Sequence, residues 1–268
     1  MTIAPENVMI AFGLTLFAGL STGIGSAIAF FAKRTNTKLL AVSLGFSAGV
    51  MIYVSFVELF LNAQKILGVE LGAKKGQFVT VAAFFTGIFL VALIDKLVPS
   101  FENPHEAHKV EEMREKRPDR KLLRMGILSA VVIGMHNFPE GLATFAAALK
   151  EVNLGISIAI AIAIHNIPEG IAVSVPVYYA TGSRKKAFLL SFLSGLAEPL
   201  GALVGYLVIF SFMNDTILGV LFAAVAGIMV FISLDELLPT AEKYGEHHLA
   251  IYGLLGGMLL MASSLLLF

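Results

Sequence analysis

Two nearly identical polar patterns interrupt apolar stretches of this chain, HNFPEG at residues 136–141 and HNIPEG at residues 165–170. Residues four apart share one face of an α-helix, so each pattern presents its histidine and its glutamate together. Imidazole and carboxylate are ligands that suit zinc and its first-row neighbours. We therefore expect the two patterns to supply one metal position with four ligands: His136, Glu140, His165 and Glu169.

The other residues of the patterns suit a neighbouring metal position and a bent helix. Asn137 and Asn166 can contribute carbonyl oxygens beside the histidine and glutamate ligands. Pro139 and Pro168 lack a backbone N–H and should bend each helix where the ligands lie. The glycine after each glutamate permits a close approach between helices. Both patterns are expected near the membrane centre, about 21 and 17 Å into their helices at 1.5 Å per residue.

A third acid, Glu198, precedes Pro199 in another apolar stretch. A charged residue at the bilayer centre costs about 2.5 to 3.5 kcal/mol on insertion scales, so three glutamates cost roughly 8 to 10 kcal/mol if nothing compensates them. No lysine or arginine is predicted at that depth, and a divalent cation would supply the missing positive charge. Glu198 and the two asparagines then make a second metal position. The alternative is a bundle in which the histidines and protonated glutamates are hydrogen-bonded without metal.

The composition predicts an all-α integral membrane protein. The 268 residues are 57% hydrophobic and 14% charged, against roughly 45 to 50% and about 25% in an average soluble domain. Apolar stretches of about 20 residues or more, long enough to cross a bilayer as helices, repeat along the whole chain. We expect one transmembrane domain, 1–268, and no disulfide or thiolate site, because the chain has no cysteine. The eight expected transmembrane helices cover 8–32, 39–62, 78–98, 122–149, 154–179, 186–212, 216–239 and 248–268.

The basic residues predict the orientation. All but four of the 19 lysines and arginines lie at one set of alternate helix ends, and positive-inside reasoning puts both termini outside the cell. The variable polar segment 99–121, between helices 3 and 4, is then cytoplasmic. Its simplest interpretation is a solvated linker. A loose metal-catching loop that uses His105 and His108 is the alternative.

Internal similarity predicts an inverted repeat. AGVMIYVSFVEL at 48–59 aligns without gaps with AGIMVFISLDEL at 226–237, and GLSTGIGSA at 19–27 aligns more weakly with GLAEPLGAL at 195–203. Helix 1 thus matches helix 6, helix 2 matches helix 7, and the motif pair lies on helices 4 and 5. Helices 1 and 6 run in opposite directions, so the pattern is three helices, two central helices and three again, inverted, as in many transporters. Chance similarity between apolar helices is the alternative.

The repeat also assigns acids to the two mouths of a pathway. We expect Glu58, toward the outer end of helix 2, to be an entry ligand, and its repeat partner Glu236, with Asp235, to be exit ligands at the inner end of helix 7. Hydrated interfacial acids are the alternative at either mouth. Thr22 is the repeat partner of Glu198, so the metal pair should lie off the pseudo-twofold axis, toward helix 6.

Two complete HNxPEG patterns on consecutive helices, followed by a glutamate in the next helix, resemble the ZIP (Zrt/Irt-like) family of divalent-metal transporters and are closest to its bacterial ZupT-like branch. The resemblance covers the whole chain. It implies a multi-pass protein of the bacterial cytoplasmic (inner) membrane that takes up zinc and is not an enzyme. Zinc, with iron, manganese, cobalt and cadmium as further ions, would be the transported substrate, and no cofactor is implied.

The same resemblance implies a binuclear centre at the membrane midplane. The first metal position would be formed by His136, Glu140, His165 and Glu169, and the second by Asn137, Asn166 and Glu198, with Glu140 and Glu169 bridging the two.

Two other functions are consistent with some of these features. A passive metal-selective channel would use the same ligands but would not saturate. An intramembrane zinc hydrolase would keep an open zinc position for water, but acids outnumber histidines here and an inverted repeat has no obvious use in an enzyme. The expected partners are metal ions and lipid, with no nucleic acid. Small-residue spacings, Gly201/Gly205 and Gly253/Gly257, permit either a homodimer or tight packing within one chain.

Overall fold

The computed structural model describes residues 5–31, 37–97, 120–209, 214–244 and 247–267, and these residues contain helices and no strand. The helices are α1 (Pro5–Phe31), α2 (Thr37–Tyr53), α3 (Leu61–Leu71), α4 (Ala73–Leu97), α5 (Arg120–Lys150), α6 (Val152–Thr181), α7 (Arg184–Gly195), α8 (Ala197–Val204), α9 (Asp215–Ile232), α10 (Leu238–Tyr244) and α11 (His247–Leu267). The predicted loop 99–121 lies outside the described residues except for the start of α5, and so do His105 and His108.

Wider π-helical turns join several of these helices into longer rods. Val54–Phe60 connects α2 to α3, and Ser233–Leu237 connects α9 to α10. A third π-helical segment, Gly205–Ile209, extends α8. The first two segments contain the acids that the sequence assigns to the mouths. Single π-helical turns inside α-helices occur frequently at functional sites.

The all-α membrane class is confirmed, because seven helical stretches of the described residues are long and apolar enough to cross a bilayer. The helix α5 is not among the seven, although its 31 residues exceed the about 20 that a crossing requires. The side chains of residues 120–129 in α5 lie outside the described residues. The seven stretches are Glu6–Ala27, Ala41–Leu71, Ala73–Lys96, Val152–Ile171, Arg184–Leu207, Asp215–Glu242 and His248–Leu266.

The rod formed by α2, Val54–Phe60 and α3 is longer than the sequence indicates. The predicted helix 39–62 stops where the hydropathy falls, but the helical rod continues to Leu71. Gly72 ends it with φ of 82°, in the left-handed region that glycine enters without steric cost. Hydropathy detects the most apolar part of a helix, and it carries no signal for a helical continuation through more polar residues such as 62–71.

Glycines bring the helices α2 and α11 into backbone contact. A Cβ on Gly45 would overlap the carbonyl oxygen of Ala250, and a Cβ on Gly49 would overlap that of Leu254. From the first contact to the second, the residue numbers rise by four on both helices, so α2 and α11 pack parallel. Gly253 of α11 faces α2 in return. This glycine therefore serves packing within the chain.

We expect Gly49→Ala to destabilise the fold. The new methyl group meets backbone rather than a flexible side chain, and overpacking of this kind costs about 1 to 3 kcal/mol, more than the helix propensity of about 1 kcal/mol that alanine gains over glycine. Thermal unfolding in detergent, followed by circular dichroism, measures the change. Gly68→Ala is the matched control, because a Cβ at Gly68 has nothing within 4 Å. Equal melting temperatures for the two variants would contradict the assigned contact.

Candidate metal centre

Backbone contacts fix the two motif helices against α1 and α8. A Cβ on Gly170 of α6 would overlap the carbonyl oxygen of Thr22, and a Cβ on Gly141 of α5 would overlap that of Glu198. The glycine that follows each motif glutamate therefore makes the close approach that the sequence predicts. This contact leaves no room for a side chain between the motif helices and their neighbours.

The third acid lies at a helix start rather than inside one continuous helix. The predicted helix 186–212 is interrupted at Leu196, between α7 and α8, and Glu198 is in the first turn of α8. Pro199 explains the interruption, because its nitrogen cannot donate to the carbonyl four residues back. The first turn of a helix leaves N–H groups unpaired and favours a negative charge, so the break itself gives Glu198 a suitable environment.

The predicted ligands whose side chains the structure describes are all withdrawn from solvent. Each is at most 1% exposed, and they are Asn137, Glu140, His165, Asn166, Glu169 and Glu198. For His136 the structure gives the position on α5, and its side chain lies outside the described residues. A buried ionisable or amide group is costly without a partner, so the contacts of these six side chains decide what the region can bind.

Contacts between helices bring these side chains into one cluster. The Oε2 atom of Glu140 on α5 lies 3.5 Å from Nε2 of His165 on α6, which joins the two motifs. The carboxylates of Glu140 and Glu169 are both near enough to Glu198 for their charges to interact. Nevertheless, no three His, Cys, Asp or Glu side chains among the described residues are grouped closely enough to hold an ion by themselves. A closed coordination shell would also need His136, the asparagines or a change in side-chain positions.

The asparagines have fixed orientations. The amide nitrogen of Asn137 donates to the carbonyl of Ser194 at 3.2 Å, and that of Asn166 donates to the carbonyl of Ala18 at 3.0 Å and also to Oε1 of Glu198. Carbonyl oxygens only accept, so each amide must turn its nitrogen toward them. The Oδ1 atoms are left without a hydrogen-bond partner in the described part of the chain, as a metal ligand requires.

Sequence reasoning missed the two carbonyls that hold the asparagines. Ala18 and Ser194 each precede a glycine, Gly19 or Gly195, that the repeat alignment pairs. Each of these glycines faces the carbonyl oxygen of the other. The alignment was therefore the available signal, but a backbone acceptor has no residue type by which a sequence could reveal it.

The acid assigned to the entrance lies on the first π-helical turn. Glu58 is partly exposed, and the side chain of Asn62 donates to its Oε2 at 3.1 Å and to its backbone carbonyl at 2.9 Å. Lys65 and Glu151 are close enough to interact electrostatically with it. The site is polar and reaches solvent, and its role in metal entry stays a prediction.

The acids assigned to the exit lie on the second π-helical turn and differ in exposure. Glu236 is 4% exposed, whereas Asp235 is exposed and lies near Asp95 of α4. Asp95 and Asp235 thus lie close together, and the role of Asp235 and Glu236 in release also stays a prediction.

Comparison with known proteins identifies relatives along the whole chain. The sequence model of a family described as "ZIP Zinc transporter" matches residues 96–264, which include both motifs and Glu198. A protein of Nitratidesulfovibrio vulgaris named "Zinc transporter ZupT" is 65% identical, over 98% of this chain and 98% of its own length. Proteins with the same name from Chlorobium chlorochromatii and Streptococcus mutans are 64% and 63% identical, each over 98% of this chain and 99% of its own length.

Proposed function

This chain belongs to the ZIP family of zinc transporters, and on that premise we propose that it carries zinc and related divalent ions into the cytoplasm through the buried cluster on α5, α6 and α8. Membership in a transporter family agrees with the prediction that the chain is not an enzyme, and it removes the reason to consider an intramembrane hydrolase. The observation that carries the proposal is the set of six buried polar ligand candidates. Zinc is the cargo rather than a resident cofactor.

We propose two adjacent metal positions in this cluster. The contact between Glu140 and His165 supports a first position shared between the motif helices, completed by His136 and Glu169. The free Oδ1 atoms of the asparagines and the free Oε2 of Glu198 support a second. Glu140 and Glu169 would bridge the two, in keeping with the proximity of both to Glu198. Oxygen-rich, mixed ligands of this kind accept zinc, iron, manganese, cobalt and cadmium.

Matching contacts support a three-two-three inverted repeat. Asn166 donates to the carbonyl of Ala18 and Asn137 donates to that of Ser194, and these acceptors occupy equivalent positions of the repeat. In the outer helices, Ser55 and Ser233 are also equivalent, and each donates to the carbonyl four residues back. Ser55 is the second residue of its π-helical segment, and Ser233 is the first residue of the other. The paired asparagine contacts favour the repeat over chance similarity between apolar helices.

Helix directions support eight membrane crossings with both termini on the same side of the membrane, and the distribution of lysines and arginines favours the outer side. The contacts of α6 with α1 step from Asn166 and Ala18 to Gly170 and Thr22, four residues on both helices, so the two run parallel. The contacts of α5 advance in the same way from Asn137 and Ser194 to Gly141 and Glu198. The helix α5 therefore runs parallel to α7 and α8, just as α2 runs parallel to α11. If α5 is counted as the fourth crossing of the membrane, each pair of parallel helices consists of two odd-numbered or two even-numbered crossings. An up-and-down chain of eight crossings requires this.

Transport would follow from alternating exposure of the cluster. A metal ion that enters from outside exchanges water for the central ligands, and it leaves when one part of the repeat rocks against the other and opens the inner mouth. Structural zinc sites hold their ion by about 10 to 16 kcal/mol, which would trap a cargo. Mixed carboxylate and amide ligands bind more weakly and allow release. We propose the cytoplasmic membrane of a bacterium as the location, with 99–121 as a cytoplasmic loop and the whole chain as one domain.

Substitutions of the proposed entry acid and of the proposed exit acid should change transport in different ways. We expect Glu58→Gln to raise the zinc concentration for half-maximal uptake, because an entry carboxylate concentrates cations before they bind. We expect Glu236→Gln to lower the maximal rate instead, because it acts after the ion has bound. Initial rates in proteoliposomes over a range of zinc concentrations measure both. If both variants keep wild-type kinetics, these acids are interfacial charges with no part in the pathway.

The central test is zinc entry into liposomes that contain the purified protein and a trapped zinc-sensitive dye. Wild type should give saturable uptake, and His136→Ala/His165→Ala should reduce it to the rate of empty liposomes, because both imidazoles of the first position are lost. Ser157→Ala, also buried in α6 and bonded to the carbonyl of Asn153, is the control and should keep wild-type uptake.

Each alternative outcome has a definite meaning. Wild-type uptake that rises linearly with zinc and never saturates would favour a passive channel. Wild-type protein that binds zinc but passes none would remove the transporter proposal. Undiminished uptake in the double variant would show that the ions follow another path.

A further inference from the structure

The hydroxyl of Thr22 has a position that the proposed ligand set does not explain. Thr22 lies on α1, is fully buried, and its Oγ1 has no hydrogen-bond partner within the described residues. Threonine in a helix ordinarily donates to the carbonyl four residues back. Other threonines of this chain do so: Thr15, Thr80, Thr86, Thr144 and Thr181.

The metal cluster itself occupies the acceptor that Thr22 would use. The carbonyl of Ala18, four residues back, already accepts the amide of Asn166 at 3.0 Å and the hydroxyl of Ser21 at 2.6 Å. Thr22 is therefore denied its ordinary partner by a residue of the candidate metal centre. A buried hydroxyl left in this state is unfavourable unless something binds it.

The surroundings of Thr22 are those of the second metal position. A Cβ placed on Gly195 would lie 2.9 Å from Oγ1 of Thr22, so the hydroxyl faces the turn that leads into Glu198. The side chain of Asn166 bridges from Ala18, one helical turn before Thr22, to Glu198. Thr22 is also the repeat partner of Glu198. Three oxygens without a hydrogen bond thus belong to this one region: Thr22 Oγ1, Asn166 Oδ1 and Glu198 Oε2.

We propose that the Thr22 hydroxyl is a further oxygen ligand of the second metal position, and that this neutral ligand favours oxygen-seeking ions such as manganese over zinc. The inference rests on the function proposed above. The hydroxyl is neutral. It therefore adds an oxygen ligand at the position that the pseudo-twofold axis relates to Glu198, without adding a fourth acid. Zinc accepts nitrogen ligands readily, whereas manganese depends on oxygen, so loss of one oxygen penalises manganese more.

The first experiment replaces Thr22 with cysteine, whose sulfur gives a spectroscopic signal when it binds a metal ion. Thr22→Cys protein is titrated with cobalt, and the near-ultraviolet absorption is recorded for a sulfur-to-cobalt charge-transfer band. The chain has no other cysteine, so a band identifies this position, and a metal-bound thiol is deprotonated. Thr15→Cys is the matched control, because Thr15 is equally buried on the same helix two turns away and bonded to Ala11. We expect a band for Thr22→Cys and none for Thr15→Cys.

The second experiment tests the native side chain and does not depend on the cysteine variant. Thr22→Val keeps the shape and removes the hydroxyl, and it should lower the ratio of manganese to zinc uptake by about tenfold, the lower range for loss of a group that supports a metal site. Thr22→Ser should restore the ratio, and Thr15→Val should not change it. A purely structural role would lower uptake of both ions alike.

Failure of this inference is distinguishable from failure of the proposed function. If wild type transports zinc and binds cobalt, but Thr22→Cys gives no band or Thr22→Val keeps the wild-type ratio, Thr22 is not a ligand and the transport function stands. If wild type neither transports zinc nor binds cobalt, both proposals are overturned, because there is no metal position for Thr22 to extend.

Discussion

Replacement of Glu140 by alanine is expected to remove zinc uptake and both bound ions together. Glu140 is 1% exposed and 3.5 Å from His165 across the helix interface, and its charge also reaches Glu198. If it bridges both positions, its loss leaves each with one negative charge fewer and an incomplete shell. The loss should exceed the about 10- to 100-fold that removal of an outer-shell partner costs.

Two measurements check this expectation, zinc content per chain of the purified variant and its initial uptake rate in proteoliposomes. Glu70→Ala is the control, since Glu70 is exposed near the end of α3 and should keep both values. A Glu140→Ala protein that retains one tightly bound zinc per chain would show that Glu140 serves one position only, and that the bridge is assigned to the wrong residue.

The second large effect is an asymmetry between repeat partners. Glu198→Ala should reduce zinc uptake to the rate of empty liposomes, because Glu198 is fully buried and is the acid that Asn166 holds toward the second position. Thr22→Ala changes the equivalent residue of helix α1, which carries no charge, and should keep most zinc uptake while it changes the preference among ions. The carboxylates are then concentrated on the α8 side of the axis.

The paired variants are compared at equal protein per liposome, with thermal unfolding in detergent to establish that both are folded. The substitution at Thr22 removes its methyl group as well as the Oγ1 that lies beside Gly195, so a lower melting temperature without loss of zinc uptake is compatible with the asymmetry. If Thr22→Ala abolishes zinc uptake as fully as Glu198→Ala, the two halves contribute equally and the site lies on the axis.

Helix packing within the chain accounts for the small-residue spacings Gly201/Gly205 and Gly253/Gly257. A Cβ on Gly201 would overlap the carbonyl oxygen of Phe138, and one on Gly205 would overlap the side chain of Leu142. Gly253 and Gly257 face α2 in the same way. These glycines are therefore used between helices of one chain, and a homodimer would need a different surface.

The sequence alone determined the class and the family, and it predicted the kinds of ligand. Hydropathy identifies a membrane helix because lipid imposes one requirement, the burial of about 20 apolar residues, on every crossing. The histidine and glutamate of each motif share a face because helical periodicity is a local property of the backbone. The doubled motif identified the family for the same reason, since its chemistry is contained in six consecutive residues.

The tertiary structure decided which atoms meet across helices. Asn166 turns its nitrogen to Ala18 and Glu198, and so frees both its own Oδ1 and the hydroxyl of Thr22. This orientation depends on contacts with residues 148 and 32 positions away in the sequence. The interruption at Leu196 and the extension of the rod formed by α2 and α3 to Leu71 also escaped the hydropathy pattern. Local periodicity specifies one face of one helix, whereas the distance and register between helices are set by where glycine lets two backbones touch, and that is a property of the packed chain.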